Sequence, residues 1–267
     1  MDHPKLEEWK TVWRERRSVT MVYILLRISV VLVMLAQIFN GNFENVFLCV
    51  LTLILFMMPS VLEKKLDITL PNTLEIIILL FIFAAEILGE LNSFYIRVPN
   101  WDTMLHTING FLMAAIGFSM IDILNRTEKI KFVLSPVFVA VVAFCFSMTI
   151  GVLWEFFEFG MDTMTATDMQ KDYLYTTVST VYLNPENENV PVVIKDIKKT
   201  VIDGTVDGKS REVTIDGGYL DIGIHDTMKD LIVNFIGALT FSILGLFYIK
   251  NRGKDSFLSQ FIPKRKR

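Results

Sequence analysis

The chain has 267 residues and a formal net charge of -3, with 52% hydrophobic and 21% charged residues. It is too apolar and too weakly charged for a disordered chain, and its two cysteines exclude a disulfide scaffold. A sequence pI of about 5.7 argues against a nucleic-acid partner. The class of protein therefore has to be taken from how the apolar residues are distributed along the chain.

Six stretches of the chain are long and apolar enough to span a membrane. A spanning helix needs about 20 mostly apolar residues, and helices are expected because backbone groups in lipid must be hydrogen-bonded within their own segment. The leader and the apolar run are both too long for a cleaved signal peptide. In chain order the predicted spans are Val19–Phe39, Phe43–Leu62, Leu74–Leu91, Trp101–Leu124, Phe132–Phe159 and Asp226–Ile249.

Lysine and arginine residues in short loops indicate which side of the membrane each loop occupies. They are concentrated in the N-terminal segment, in the loops after the second and fourth predicted spans, and in the C-terminal tail. The loops after the first and third spans contain a single such residue, Arg97. We therefore predict that both termini are cytoplasmic, in the plasma (inner) membrane of a bacterium, with the lipid bilayer as the surrounding partner.

The connection before the last span is long for a loop without structure of its own. Its β-branched runs, Val190–Ile194 and Val213–Ile215, predict short strands, and its Asp-Gly pairs at 203, 207 and 216 predict turns. The fold class is thus an all-α bundle of six transmembrane helices with a small extracytoplasmic β-rich insertion between helices 5 and 6. The predicted segments are a basic leader 1–18, helices 1–5 in 19–159, the cap 160–225, helix 6 in 226–249 and a basic tail 250–267.

Ionisable and amide side chains recur on one face of each of the last three predicted spans. Such residues are costly in a membrane and are site candidates by default, and residues three or four apart share a helix face. All of them map to the predicted outer third of the membrane, which predicts a polar pocket entered from outside. The candidate binding residues are Asp102, His106, Glu155, Glu158, Asp226, Asp230 and Asn234.

Carboxylates outnumber cations in this set. An unbalanced cluster raises carboxyl pKa values or recruits a cation, and carboxylates with an imidazole suit Mg, Mn, Fe or Zn. The hypothesised ligands of a divalent metal cofactor are Glu155, Glu158, His106 and Asp230. A cationic ligand or shared protons would balance the excess of carboxylates equally well. The sequence therefore does not decide the identity of a cofactor or of catalytic residues.

Each position also has a purely structural interpretation. Asp102 and Asp226 lie near predicted helix starts, where a carboxylate caps the helix or complements its dipole. His106 is equally compatible with a ligand and with an internal hydrogen-bonding residue. Glu155 and Glu158 lie near a predicted helix end, where the dipole disfavours anions, so capping does not explain them.

Five motifs, in this order, resemble the YjdF-like family of bacterial inner-membrane proteins. They are Trp101-Asp-Thr-Met-Leu-His106, Trp154-Glu-Phe-Phe-Glu158, Asp168-Met-Gln-Lys-Asp172, Gly218-Tyr-Leu-Asp221 and Asp226-Thr-Met-Lys-Asp230 with Asn234. More distantly, the histidine, glutamate and Asp…Asn-x-x-Gly pattern is similar to the VanZ-like family, which is linked to glycopeptide-antibiotic tolerance. The long connection before the last span departs from compact VanZ-like chains. The YjdF-like resemblance implies the architecture and no known activity.

Three classes of function remain open from the sequence. The leading hypothesis is a binding or catalytic site in the outer leaflet, with a lipid or lipid-linked cell-envelope substrate if the protein is an enzyme. The first alternative is a proton- or cation-coupled permease, although Asp122 is the only acidic residue in the predicted inner halves of the last three spans. The second is a non-catalytic envelope scaffold or stress protein, in which the polar faces are structural networks.

Overall fold

The computed structural model describes residues 16–65, 67–125, 134–251 and 257–265. Most of the predicted basic leader, the loop after the fourth predicted span, the first two residues of the fifth, Phe132 and Val133, and parts of the predicted tail lie outside the described residues. The chain divides into two compact units. The first unit is residues 1–152 with 231–267, and the second unit is residues 153–230.

The first three helices belong to the first unit. Helix α1 covers Arg17–Phe39, α2 covers Phe43–Leu55 and α3 covers Met58–Lys65. The α2 helix begins after Asn42, whose side chain accepts the backbone N–H of Asn45 at 3.4 Å. This is the side-chain cap that the free N–H groups of a helix start require.

The third predicted span is built from two kinds of helix. Helix α4 covers Asn72–Phe83 and continues directly as a π-helix over Ala84–Leu91. The π-helix differs from an α-helix in its i→i+5 hydrogen bonds and is rare in proteins. The carbonyl of Ala84, at its start, accepts a hydrogen bond from the indole N–H of Trp101 at 3.3 Å.

Five helical stretches of the described residues are long and apolar enough to cross a membrane, and the α4 and π-helix stretch is not among them. The expectation of several spanning helices is therefore confirmed, while the sixth span stays a prediction. The five stretches are Arg17–Phe39, Phe43–Lys65, Trp101–Asp122, Pro136–Thr165 and Ile224–Lys250.

The remaining helices carry all seven candidate residues. A short helix α5 covers Phe94–Arg97, α6 covers Trp101–Asn125 and α8 covers Ile224–Lys250. Helix α7 covers Pro136–Thr165 and so runs past its predicted end at Phe159. The start of α7 follows from its sequence, because proline suits the first position of a helix and the Ser135 hydroxyl accepts the N–H of Phe138 at 3.2 Å.

The C-terminal tail folds back onto the first unit. A 3-10 helix covers Leu258–Gln260, and the two-residue strand β8, Lys264–Arg265, pairs antiparallel with β1, Ile68–Thr69. Phe261 is buried, and its ring lies edge-on to Phe111 of α6 at 5.4 Å. The segment predicted as a basic tail is thus partly core, because its apolar residues pack among the helices.

The second unit contains three small antiparallel pairs of strands. They are β2 (Leu174–Tyr175) with β7 (Tyr219–Leu220), β3 (Val178–Thr180) with β4 (Val192–Ile194), and β5 (Lys199–Val206) with β6 (Lys209–Asp216). The predicted strands are present, but the predicted turn at Asp203-Gly204 is wrong, since both residues lie inside β5. The turn of that hairpin is Asp207-Gly208, and both residues have positive φ angles, as a tight hairpin turn requires.

Candidate functional site

Three helices meet at one amide in the first unit. Nδ2 of Asn109 on α6 donates a hydrogen bond to Oδ1 of Asn234 on α8 at 3.3 Å. Nδ2 of the same Asn234 lies 3.6 Å from the sulfur of Met148 on α7. Asn234 is only 1% exposed. The side chain of one predicted site residue therefore connects the three helices that carry the predicted polar faces.

Glycines allow these helices to approach closely. A Cβ atom on Gly237 would lie 2.1 Å from the carbonyl oxygen of Thr107, and one on Gly110 would lie 2.2 Å from the carbonyl oxygen of Asn234. On the third helix, a Cβ atom on Gly151 would lie 2.6 Å from Nδ2 of Asn234. Real Cβ contacts are not this short, so each glycine is required for the packing. Small residues serve this purpose between membrane helices.

Asp102 and His106 form a pair on α6. Oδ1 of Asp102 lies 3.4 Å from Nε2 of His106, one turn further along the helix. The histidine side chain is mostly buried, and the aspartate side chain is about a quarter exposed. A carboxylate at this distance orients the imidazole ring. The structural interpretation of Asp102 as a helix-start carboxylate also holds, since it lies in the first turn of α6.

Glu155 and Glu158 are both buried, in the part of α7 that belongs to the second unit. Oε1 of Glu158 accepts a hydrogen bond from the indole N–H of Trp154 at 2.8 Å. Because α7 continues to Thr165, neither glutamate lies at a helix C-terminus. The prediction that the dipole of a helix C-terminus disfavours these glutamates is therefore wrong. The feature that needs an explanation is instead that both glutamates are buried.

Asp226 and Asp230 lie at the start of α8, in the second unit, and both are buried. Oδ2 of Asp226 accepts the backbone N–H of Lys171 at 2.8 Å, and Oδ1 lies 3.8 Å from Nζ of Lys229. Asp226 thus holds a loop in place, as a carboxylate in the first turn of a helix often does. Asp230 is 1% exposed.

Two further aspartates hold the same loop, and the candidate set omitted them. Asp162 accepts the backbone N–H groups of Met169 at 2.6 Å and Gln170 at 2.8 Å. Asp221 accepts that of Tyr173, directly after the loop, at 2.7 Å, and it also accepts those of His225 at 2.9 Å and Gly223 at 3.3 Å around the start of α8. The signal was present in the sequence, since the loop is the Asp168…Asp172 motif and Asp221 ends the Gly218…Asp221 motif. We define the loop clamp as Asp162, Asp221 and Asp226.

Burial alone would raise the pKa of Asp221. The three backbone N–H groups that stabilise its charged form outweigh burial, and with help from His225 they hold the pKa of this carboxyl below its usual range. The neighbouring Asp172 shows the opposite shift. Burial and the charges of Asp168, Asp221 and Asp162 raise the pKa of Asp172.

An aromatic group surrounds His225 at the start of α8. Its ring centroid lies 4.6 Å from that of Tyr173 and 5.4 Å from that of Tyr175, and the Tyr175 hydroxyl hydrogen-bonds Nδ1 of His225. Nζ of Lys229 donates to the Tyr173 hydroxyl at 3.1 Å. These contacts attach β2 and its loop to the first two turns of the helix.

Comparison with known proteins identifies the family. Residues 21–251 match the family described as "Predicted membrane protein (DUF2238)". The chain belongs to this family. The match agrees with the YjdF-like resemblance, and the VanZ-like resemblance stays a prediction. An uncharacterised protein of Thermotoga maritima is 26% identical over 104 residues, which are 39% of this chain and 52% of that protein. No solved structure matches the chain.

Proposed function

We propose that this multi-pass membrane protein binds a ligand through the polar faces of α6, α7 and α8, with a divalent cation as the first candidate. It would act from the outer leaflet of a bacterial plasma membrane on a lipid or lipid-linked envelope substrate. The proposed binding residues are Asp102, His106, Glu155, Glu158, Asp226, Asp230 and Asn234.

The observation that carries the proposal is the contact of Asn109 with Asn234 beside Gly151. This contact fixes which face each helix turns toward the other two. Residues three or four apart share a helix face. One turn away on these faces, toward the predicted outside, are His106 on α6, Glu155 on α7 and Asp230 on α8. Each helix therefore directs an ionisable side chain in the same general direction as its contact face.

The chemistry of the set favours a hard or borderline cation. Glu155, Glu158 and Asp230 supply carboxylate oxygens and His106 supplies a ring nitrogen, a donor set that suits Mg, Mn, Fe or Zn. Asp102 beside Nε2 of His106 would orient the ring and raise its basicity, as carboxylates do for metal-binding histidines. A cation so held lowers the pKa of a bound water, which suits hydrolysis or group transfer.

The first test is metal content. The protein is purified in detergent, its metals are measured by mass spectrometry, and its melting temperature is followed while Mg, Mn, Fe or Zn is added. We expect a bound divalent metal in the wild type, and loss of both the metal and the stabilisation in Glu155→Ala and Asp230→Ala. The matched controls are Glu186→Ala and Asp203→Ala, which remove exposed acids of the second unit and should change neither. A metal-free wild type that added cations do not stabilise would contradict the proposal.

A second measurement separates binding from transport. Uptake of protons and monovalent cations is measured in proteoliposomes that contain the wild type or Glu158→Gln. The proposal predicts no uptake above that of protein-free vesicles for either protein. Uptake by the wild type that Glu158→Gln abolishes would replace the proposal with a coupled permease.

A further inference from the structure

A second candidate site lies in the first unit, around an apolar cavity of about 170 Å³. Its walls come from α3, β1, α4, α6 and the C-terminal tail, through residues that include Leu62, Ile68, Ile116 and Pro263. Ser119 is the one polar residue among those that line it, and its hydroxyl donates to the carbonyl of Ala115 at 2.7 Å. The cavity therefore offers little to water, and apolar cavities of about 150 Å³ stay dry and take up hydrocarbons.

One wall of the cavity is exposed on the outside of the first unit. Met120 and Leu124 line the cavity and are 38% and 47% exposed. Met120 belongs to the part of α6 that is long and apolar enough to cross a membrane, and Leu124 follows it directly. The medium around a spanning helix is hydrocarbon. The molecule that reaches this wall first is thus the acyl chain of a lipid.

Basic residues follow the cavity lining at two points in the chain. Lys64 and Lys65 end α3, directly after the turn that contains Leu62, and both are exposed. Lys264 and Arg265 follow Pro263, and the pairing of β1 with β8 sets them opposite Thr69 and Ile68. The cavity and both basic pairs thus lie at the end of the first unit that the lysine and arginine distribution predicts to be cytoplasmic.

The acidic residues of this region do not cancel these charges. Glu63 and Glu75 are buried, and both lie close to Arg16, whose guanidinium nitrogens are 2.7 Å and 3.7 Å from their carboxylate oxygens. Asp67 is the exposed acidic residue in the described part of the segment that links α3 to α4. The exposed Lys64 and Lys65 therefore outnumber the exposed Asp67 beside the apolar cavity.

We propose that this cavity binds the end of one acyl chain of an anionic phospholipid, whose phosphate is held by Lys64 and Lys65. The volume suits part of one chain and not a whole lipid. Anionic lipids attract basic residues next to spanning helices by about fivefold in affinity per residue. The site is separate from the polar faces of α6, α7 and α8 and does not depend on the function proposed for them.

The test compares lipids that differ in the head group alone. Binding of phosphatidylglycerol and of phosphatidylcholine with the same acyl chains is measured by native mass spectrometry on the detergent-purified full chain. We expect a preference for phosphatidylglycerol in the wild type. Lys64→Ala with Lys65→Ala should weaken phosphatidylglycerol binding about 25-fold, at about fivefold per cation. The same variant should weaken phosphatidylcholine binding much less, because the choline cation of that head group offsets the charge of its phosphate. Lys195→Ala with Lys198→Ala, which removes two exposed lysines of the second unit, is the matched control.

Two further experiments test the contributions of the acyl chain and of the phosphate group separately. Ile116→Phe adds volume inside the cavity and should reduce the binding of both lipids, whereas inorganic phosphate should raise the melting temperature less than phosphatidylglycerol does. Equal binding of the two lipids by the wild type would overturn the proposal. So would a lysine variant that binds phosphatidylglycerol as the control does, or a phosphate effect equal to that of the lipid.

Discussion

The two units satisfy their buried polar groups in different ways. In the first unit, the amides of Asn109 and Asn234 bond each other between helices whose glycines let the backbones approach. In the second unit, the carboxylates of the loop clamp accept backbone N–H groups of a loop. The first arrangement depends on the small volume of the glycine residues, and the second depends on the negative charge of the aspartate carboxylates. Polar residues on the same helices thus have different roles, since some connect helices and others hold a loop. A pattern of polar faces in the sequence does not distinguish these roles.

The largest effect is expected from adding volume to the helix contact. Gly237→Ala should lower the free energy of unfolding by about 3 kcal/mol, at the upper end for overpacking. The added Cβ would meet the backbone of Thr107 at 2.1 Å, and backbone cannot move aside as a flexible side chain can. Thermal unfolding in detergent measures the change.

Gly160 provides the matched control in the same kind of helix. It lies within α7, and a Cβ atom there would meet nothing within 4 Å. Gly160→Ala should leave the protein as stable as the wild type or raise its stability by up to about 1 kcal/mol, because alanine favours helix. Equal melting temperatures for the two alanine variants would show that the stability of the first unit does not depend on the close approach of its helices.

The next largest effect is expected from removing a carboxylate of the loop clamp. Asp221→Ala removes the acceptor of three backbone N–H groups and should cost about 2 kcal/mol locally. Limited proteolysis should then cut the segment between α7 and α8 faster, while the helices stay intact. Asp203→Ala, on the exposed strand β5, should leave the cleavage rate unchanged. If Asp221→Ala and Asp203→Ala are cleaved at the same rate, the loop clamp does not stabilise the second unit as proposed.

Acid should loosen the same loop. The pKa of Asp221 is lowered in the folded protein, so its contribution to stability is present above the unfolded value of about 3.9 and is lost as the pH falls through the folded pKa. Proteolysis of the loop by an acid protease should therefore accelerate in the wild type below about pH 3.9. In Asp221→Asn this acceleration should be smaller, and an identical pH profile would count against the clamp.

A smaller effect is expected from the amide contact. Asn234→Ala should cost about 1 kcal/mol, which is typical for a hydrogen bond between membrane helices. Asn109→Ala should cost a similar amount, and the double variant should cost little more than either, because the two share one bond. A double-mutant cycle of unfolding free energies measures the coupling, and strict additivity would show that the contact carries no energy.

The smallest effect is expected at Asp172. Burial and three neighbouring carboxylates disfavour its charge, so Asp172→Asn should stabilise the loop slightly at neutral pH. The change should stay within about 0.5 kcal/mol, as for most surface substitutions. Hydrogen exchange of the loop amides is sensitive enough to detect it. A destabilised loop would instead identify Asp172 as a further member of the clamp.

The sequence predicts the spanning helices well because continuous apolar runs have one stable form in lipid. It predicts their ends less well. Gly160 and Asp162 look like loop residues, yet α7 continues through both to Thr165, and the Asp162 carboxylate accepts backbone N–H groups of the loop that follows. The π-helix over Ala84–Leu91 has no signal in its composition that distinguishes it from α-helix.

The ligand-binding and metal-binding roles of the candidate site residues stay predictions. Asn234, which belongs to the predicted polar face of the last span, contacts Asn109 of α6, and helix periodicity sets the direction of such a side chain without any tertiary knowledge. The spacing of Asp226 and Asp230 gives no sign that Asp226 binds the N–H of Lys171. That contact depends on the path of a distant loop, which sequence periodicity does not encode. Burial and loop contacts are therefore the information that the structure adds.

The pairing of β1 with β8 has a consequence for biosynthesis. It joins Ile68 to Arg265, so one strand is made well before its partner. Chains are synthesised from the N-terminus and fold progressively as they emerge, which means that this ladder cannot form until β8 has left the ribosome. Until then Ile68 and Leu70 lack the segment that packs beside them. A nascent chain that still lacks β8 therefore displays an unpaired strand end and an open apolar surface, and the arrival of β8 removes both at once.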